Sequence, residues 1–209
     1  LVHASTDGQV TTVAADLVVH AAGRAPDLDA LDLTVADVVA ENGRLKLNEF
    51  LQSVSNAKVY AAGDAASSGP PLTPVSGHDG KIIAGNLLDG NSHKPDYRCV
   101  PSVAFTIPPI AAVGLGEAEA RARGLKFRIS SEKVSDWYTA RRLNESVYGF
   151  KTLVDPDTGR ILGAHLVGPH AEDVINLFGL AIRHGLTAED MKTTMFAYPT
   201  GASDIGDML

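Results

Sequence analysis

The sequence is poor in cysteine, in basic excess and in long apolar runs, and each shortage removes a class of protein. A single Cys99 among 209 residues excludes an intramolecular disulfide and a cysteine-built zinc cage. No stretch reaches the ~18 consecutive apolar residues of a spanning helix, so no membrane partner is expected. The opening Leu-Val-His-Ala-Ser-Thr-Asp lacks the basic start and apolar stretch of a secretion signal. Lys and Arg number 18 against 25 Asp and Glu, and the resulting net charge of −7 offers no footprint for a nucleic acid. The seven histidines show no ligand spacing on any one predicted element. What remains is a chain 44% hydrophobic and 21% charged, the profile of a globular protein, expected in a reducing, cytoplasmic setting.

The chain also begins without methionine, inside a predicted hairpin whose arms, residues 2–5 and 9–13, flank the turn pair Asp7-Gly8. The sheet that hairpin should join is not in the sequence. The expectation is therefore the back part of a longer protein. Two apolar runs, Asp16 to Ala22 and VYAAGDAA at 59–66, read as buried strands, with irregular chain over 27–42 between them. A helix is predicted from about Gly77 to Leu88, with Gly90 as its stop. The polar, proline-bearing segment 91–101 reads as a domain boundary. Cys99, which it contains, has no neighbouring base and reads as a passive thiol.

Beyond that boundary the texture is α+β: antiparallel strands, then helices. Strands are predicted around Val103 and Ile110–Val113, and an alternating strand over 127–134. A hairpin over 148–168 turns through Asp155-Pro156-Asp157-Thr158-Gly159. The run Ala171–His184 repeats apolar residues at helical spacing and stops at Gly185. Thr187 is placed to cap a last short helix with Glu189 and Asp190 in its first turn.

Three stretches in this order carry a family resemblance: VYAAGDAA (59–66) with LTPV (72–75); PSVAFTIPPIAAVGL (101–115); and KTLVDPDTGRILGAHLVG (151–168) with the following helix and the terminal Tyr-Pro-Thr. The chain resembles the back half of the pyridine nucleotide–disulfide oxidoreductases: glutathione reductase, dihydrolipoamide dehydrogenase and mercuric reductase. The resemblance implies partial α/β nucleotide-binding segments followed by an α+β dimerisation domain. Residues 1–38 would end the NAD(P)-binding domain, 39–97 would close the FAD-binding domain, and 98–209 would form the interface. Physically, a carboxylate after a strand, as at Gly63-Asp64, can accept bonds from sugar hydroxyls, and also reads as a simple strand-ending turn. By resemblance, Asp64 binds the ribityl chain of FAD with Gly63 allowing close approach, while Leu72 and Thr73 lie against the flavin. Gly23 falls beside the NAD(P)H cofactor, or is merely a loop glycine. Val103 falls at the nicotinamide pocket, or is merely a core strand residue.

The terminal arm departs from the family. Disulfide-reducing members carry His-Pro-Thr there with a glutamate five residues on, and the histidine serves the partner subunit's site. Here those positions hold Tyr198 and Ser203. Histidine, with an ordinary pKa near ~6.5, trades protons at neutral pH, whereas a phenol, near ~10, holds its proton. Tyr198 therefore reads as a hydrogen-bond donor or stacking ring, and Ser203 cannot charge-stabilise a base. The expected whole is an FAD-dependent NAD(P)H oxidoreductase that is a homodimer and reduces a small-molecule acceptor. That acceptor is a disulfide or, alternatively, a quinone, metal ion or oxygen. The chain by itself is expected to be inactive, and a bare dimerisation module is the non-enzymatic alternative.

Overall fold

The computed structural model describes residues 1–209. It begins with the hairpin of β1 (Val2–Thr6) and β2 (Gln9–Val13), turned by Asp7 and Gly8 at φ of 51° and 79°. Positive φ at both central residues is the demand of the tight turn that matches strand twist, which is why Asp-Gly occupies it. The same chemistry recurs, unpredicted, at Asn42-Gly43 (φ 53° and 74°) between β3 (Ala40–Glu41) and β4 (Arg44–Leu45). One long helix follows, α1 (Thr73–Asp89), four residues longer at its start than the periodicity indicates because Pro74 fixes a helical φ in its first turn.

Neither predicted buried strand forms as such. Residues 17–19 are exposed and hydrogen-bond to no strand, and around 59–66 there are two isolated bridges, Gln52 with Tyr60 and Leu45 with Ala66, and a 3-10 turn at Gly63–Ala65. An apolar run becomes a buried strand only when neighbours on both sides take its N–H and C=O groups, and this chain supplies none for 16–22. Accordingly the small cluster in this part buries only Val38, Leu45 and Ala61.

The C-terminal region is a five-stranded antiparallel sheet in the order β5-β6-β9-β8-β7: β5 (Ser102–Ala104), β6 (Ile110–Gly114), β7 (Arg128–Lys133), β8 (Gly149–Val154) and β9 (Ile161–Val167). β8 and β9 are joined by the predicted turn, where Asp155 Oδ1 accepts from the N–H groups of Asp157 at 2.8 Å and Thr158 at 3.2 Å. Short helix α2 (Glu117–Ala122) follows β6, and α3 (Tyr138–Leu143) follows β7. The α+β expectation holds here, but α3 is not among the elements read from the sequence. Its six residues are too few for periodicity, and its one local sign is the left-handed Asn144 at its end.

Across the sheet lies α4 (Ala171–His184), which buries Ala171, Val174, Ile175, Phe178 and Ala181 against β6 and β9, and ends at Gly185 in the left-handed conformation. Next comes α5 (Ala188–Thr193), closed at its start by reciprocal Thr187 and Asp190 hydrogen bonds. The chain then finishes in α6 (Ile205–Met208), whose Ile205 and Met208 join the core. No helix is long and apolar enough to cross a membrane.

The contrast between the two regions is measurable. Phe178→Ala removes a fully buried ring and is expected to cost about 3–5 kcal/mol. Leu17→Ala, on open chain, is expected to cost less than about 0.5 kcal/mol. Urea unfolding followed by fluorescence of Trp137, which packs against that core, distinguishes the two.

Candidate functional site

The hydrogen bond from Ala61 N–H to Leu51 O, 3.1 Å, ties the end of the 59–61 segment to buried Leu51 and delivers the chain into the turn at Gly63. Gly63 adopts φ +64°, and a Cβ there would lie 2.5 Å from Ser76 Oγ and 2.9 Å from Ser76 Cβ. Both conformation and space therefore require glycine at this point. Asp64 follows in the 3-10 turn with its side chain exposed and unpaired within the chain. Leu72 caps α1 in extended conformation, and its carbonyl takes the N–H groups of Val75 at 3.0 Å and Ser76 at 3.1 Å. The N–H of Thr73, the first residue of this exposed helix start, has no acceptor within the chain and points its partial positive charge outward.

The fold brings Arg24 and Asp64 to one cleft of about 230 Å³, lined also by Ala25, Pro26, Arg44 and Pro71. Neither guanidinium there is in an ion pair. A carboxylate sharing a cleft with two free guanidiniums, in a loop that leads through Pro71 to an unpartnered helix N–H, is a donor and acceptor set suited to a ligand with hydroxyls and phosphate. Gly23 adjoins the cleft at φ +103° with open space where a Cβ would stand, so its glycine serves the backbone conformation. Val103 lies elsewhere, half-buried on β5 against the core of the C-terminal region, and it does not line the Asp64 cleft. Arg44 is a residue the sequence reading missed, because its only signal is the hairpin turn that precedes it.

Asp79 is the other omission. It is fully buried on α1, on the same face as Val75, and both its oxygens are engaged: Oδ2 accepts from Gly63 N–H at 3.2 Å and Oδ1 from Tyr97 Oη–H at 2.9 Å. An acid on the inward face of a helix is the sign that could have marked it. Tyr97 is pushed up to about 12, chiefly by burial and further by the Asp79 carboxylate, against the bond from Ser68. About two turns further along α1 sits buried Asn86. Its amide donates to Phe50 O and His93 O and accepts from the N–H groups of Ser92 and His93, and so binds the linker to the helix.

The terminal arm holds Tyr198 and Ser203, the two positions at which the sequence departs from the family dyad, in separate contacts. Tyr198 is 73% exposed and stacks on Tyr138 of α3, with centroids 6.0 Å apart and planes at 30°. Ser203 is spent locally: its Oγ donates to Thr200 O at 2.6 Å and accepts from Thr200 N–H at 3.3 Å. Asp204 is held by Tyr148, whose Oη–H donates to Oδ2 at 2.8 Å, and burial followed by this carboxylate pushes the Tyr148 phenol far above its ordinary value. No acid therefore orients Tyr198. Cys99 lines a larger cleft of about 940 Å³ between the linker and α4, and burial raises its thiol. The cations of that cleft are already matched, Lys94 by Glu49 and Arg98 by Asp96 among them.

Known proteins resemble this chain along most of its length. Residues 100–209 match the family described as pyridine nucleotide-disulphide oxidoreductase, dimerisation domain, and residues 2–80 match pyridine nucleotide-disulphide oxidoreductase. An uncharacterized 19.7 kDa protein in the mercuric resistance operon of Staphylococcus aureus is 46% identical over 180 residues, covering 86% of this chain and all of that protein. Mercuric reductase of Lysinibacillus sphaericus is 36% identical over 205 residues, 98% of this chain and 37% of the reductase. Among solved structures, the HOCl-induced flavoprotein disulfide reductase RclA from Escherichia coli superposes with a TM-score of 0.80 at 26% identity. That match covers 90% of this chain and 43% of RclA. The chain thus spans less than half of the reductases it matches.

The Asp79–Tyr97 bond generates a pH prediction. The folded chain holds the Tyr97 proton to about 12, whereas an unfolded tyrosine releases it near 10, so the pair's stabilisation is complete below pH 10. It is lost progressively as pH rises toward 12. Thermal melts across that window are expected to fall less steeply for Tyr97→Phe than for the parent chain.

Proposed function

The chain belongs to the pyridine nucleotide-disulphide oxidoreductase family, and from that premise we propose that it is the C-terminal part of an FAD-dependent, NAD(P)H-using oxidoreductase. The observation that carries the reading is the free Asp64 carboxylate sharing one cleft with Arg24 and Arg44, with the free Thr73 N–H at the far end of the loop that follows Asp64. In this reading residues 1–38 close the NAD(P) segment, 39–97 close the FAD segment and 98–209 form the dimer interface. Bound flavin supplies acceptance of hydride from NAD(P)H and its onward passage as electrons. Asp64 would accept hydrogen bonds from the ribityl hydroxyls, Gly63 would keep the backbone close, and Leu72 and the Thr73 N–H would serve the flavin ring. Gly23 and Val103 are assigned to the nicotinamide side. The setting proposed is cytoplasmic.

A homodimer is supported by large apolar side chains left open on the C-terminal region: Phe105, Ile107, Met195 and Tyr198. Such a dimer would present each Tyr198 to the partner subunit as a neutral donor and stacking ring.

For the acceptor, one observation favours a substrate other than a disulfide. Ser203 is consumed by its cap and Asp204 by Tyr148, so the arm holds no acid–base pair to protonate a leaving thiol. A metal ion as substrate agrees with the names of the mercury-related relatives; a quinone or oxygen is equally free of that requirement.

The purified chain is expected to be colourless and dimeric by analytical ultracentrifugation, with Ile107→Asp shifting it toward monomer. A monomeric parent chain would remove the interface reading. In the protein joined to its upstream nucleotide-binding segments, NAD(P)H oxidation should run faster with a divalent metal ion or quinone than with glutathione disulfide. The reverse order would restore the disulfide.

A further inference from the structure

We infer that Asp79 is the positioning residue of the Gly63–Asp64 turn, and that through Tyr97 the same carboxylate couples this turn to the linker entering the dimerisation domain. The inference rests on the flavin reading of Asp64 and adds to it a residue that touches no ligand.

The geometry leaves Asp79 no other role. Its carboxylate is fully buried, and a buried acceptor is tolerated only where donors converge on it. Two do, from opposite sides: Gly63 N–H at 3.2 Å and Tyr97 Oη–H at 2.9 Å. The first fixes the Ala62–Gly63 peptide, from which Gly63, in the left-handed conformation, leads into Asp64 at the cleft. The second reaches the linker. Since Tyr97 spends its one proton on Asp79, Ser68 must be the donor in the 3.4 Å contact between their hydroxyls. The Tyr97 ring also fills the space beside Gly69, where a Cβ would lie 2.9 Å from ring carbons. Ser68 and Gly69 belong to the loop that joins Asp64 to Leu72 and Thr73. One carboxylate and one phenol thus hold the turn on one side of the candidate site, the loop beneath it, and the linker. A shift of the linker is transmitted to Asp64 through two hydrogen bonds.

The test is a titration with FAD, read by flavin fluorescence, of the protein joined to its upstream nucleotide-binding segments, as the parent, Asp64→Asn, Asp79→Ala, Asp79→Asn and the double variant Asp64→Asn/Asp79→Ala. Alongside it runs amide hydrogen exchange at Gly63 and at 66–69. Asp79→Ala is expected to weaken binding about tenfold, and the double variant to be no weaker than Asp64→Asn alone, because both act through one contact. Asparagine can still accept from Gly63, so Asp79→Asn should lose only about threefold. Gly63 exchange should quicken about tenfold in Asp79→Ala while β8 and β9 stay protected. Additive losses in the double variant, or unchanged affinity in Asp79→Ala, would overturn the positioning role. If Asp64→Asn leaves affinity untouched, or no variant binds FAD, the flavin reading falls instead. The exchange data then decide alone, and unaltered Gly63 protection in Asp79→Ala sinks the inference. Should Asp79→Ala fail to fold, Tyr97→Phe carries the test. It must quicken exchange at 66–69 while Gly63, still bonded to Asp79, stays protected.

Discussion

The packing of α4 across β6 and β9 is the interaction on which the rest of the molecule depends. Phe178 and Ile175 are removed from water entirely, and they share one cluster with Val113, Ala164 and Leu166 from the sheet. That cluster extends without a break to Met191 on α5 and to Ile205, Met208 and Leu209 at the end of the chain. A single core of this size can offset the ordering entropy of roughly a hundred residues, which is why the C-terminal region has regular secondary structure with every strand joined in one sheet. The Thr152 hydroxyl, donating to Met208 O at 2.7 Å, and Arg128, donating to Leu209 O at 2.9 Å, pin the final helix onto this sheet.

The first half is held differently. Its apolar cluster is small, and order there comes from buried or half-buried polar side chains that each satisfy several backbone groups. Asn48 serves Phe50 and Gln52, Ser53 serves Ser55 and Asn56, and Asn86 gathers Phe50, Ser92 and His93. Such anchors specify geometry more than they add stability, since each mostly exchanges water for protein as partner. They are suited to fixing a ligand-facing turn and poorly suited to holding strands that have no sheet. The exposure of Leu17, Val18 and Val19 follows from that division.

The sequence was most legible where local chemistry decides the outcome. Asp7-Gly8, the Asp155–Gly159 turn, the Thr187 cap and the α4 periodicity each carry their own geometric requirement, and each forms as read. It was least legible where the outcome depends on neighbours. The apolar runs at 16–22 and 59–66 have the composition of buried strands, but strand formation is a property of the pair rather than of the segment. At the candidate site, Gly63, Asp64, Leu72 and Thr73 are singled out by family resemblance, since a lone Gly-Asp reads equally as a strand-ending turn. Asp79 was hidden because a lone acid on a helix usually marks a solvated face, and only the approach of Gly63 and Tyr97 makes it an inward one. From residue chemistry, Tyr198 and Ser203 read as a changed acid–base pair, but the local cap at Thr200, which turns Ser203 back on its own backbone, is not visible in the sequence.

The arm that bears Tyr198 is fastened at both ends. Upstream, Thr194 Oγ1 donates to Asp190 O at 2.7 Å; downstream, Asp204 is held by the Tyr148 hydroxyl at 2.8 Å. Between these points the exposed ring rests on Tyr138. A side chain carried on a clamped span has already surrendered most of its rotational freedom before it meets anything. Whatever surface receives it therefore gains contact area without spending affinity on freezing a loose loop. Evolution at position 198 can then change the chemistry of the tip without altering the stiffness of the stem.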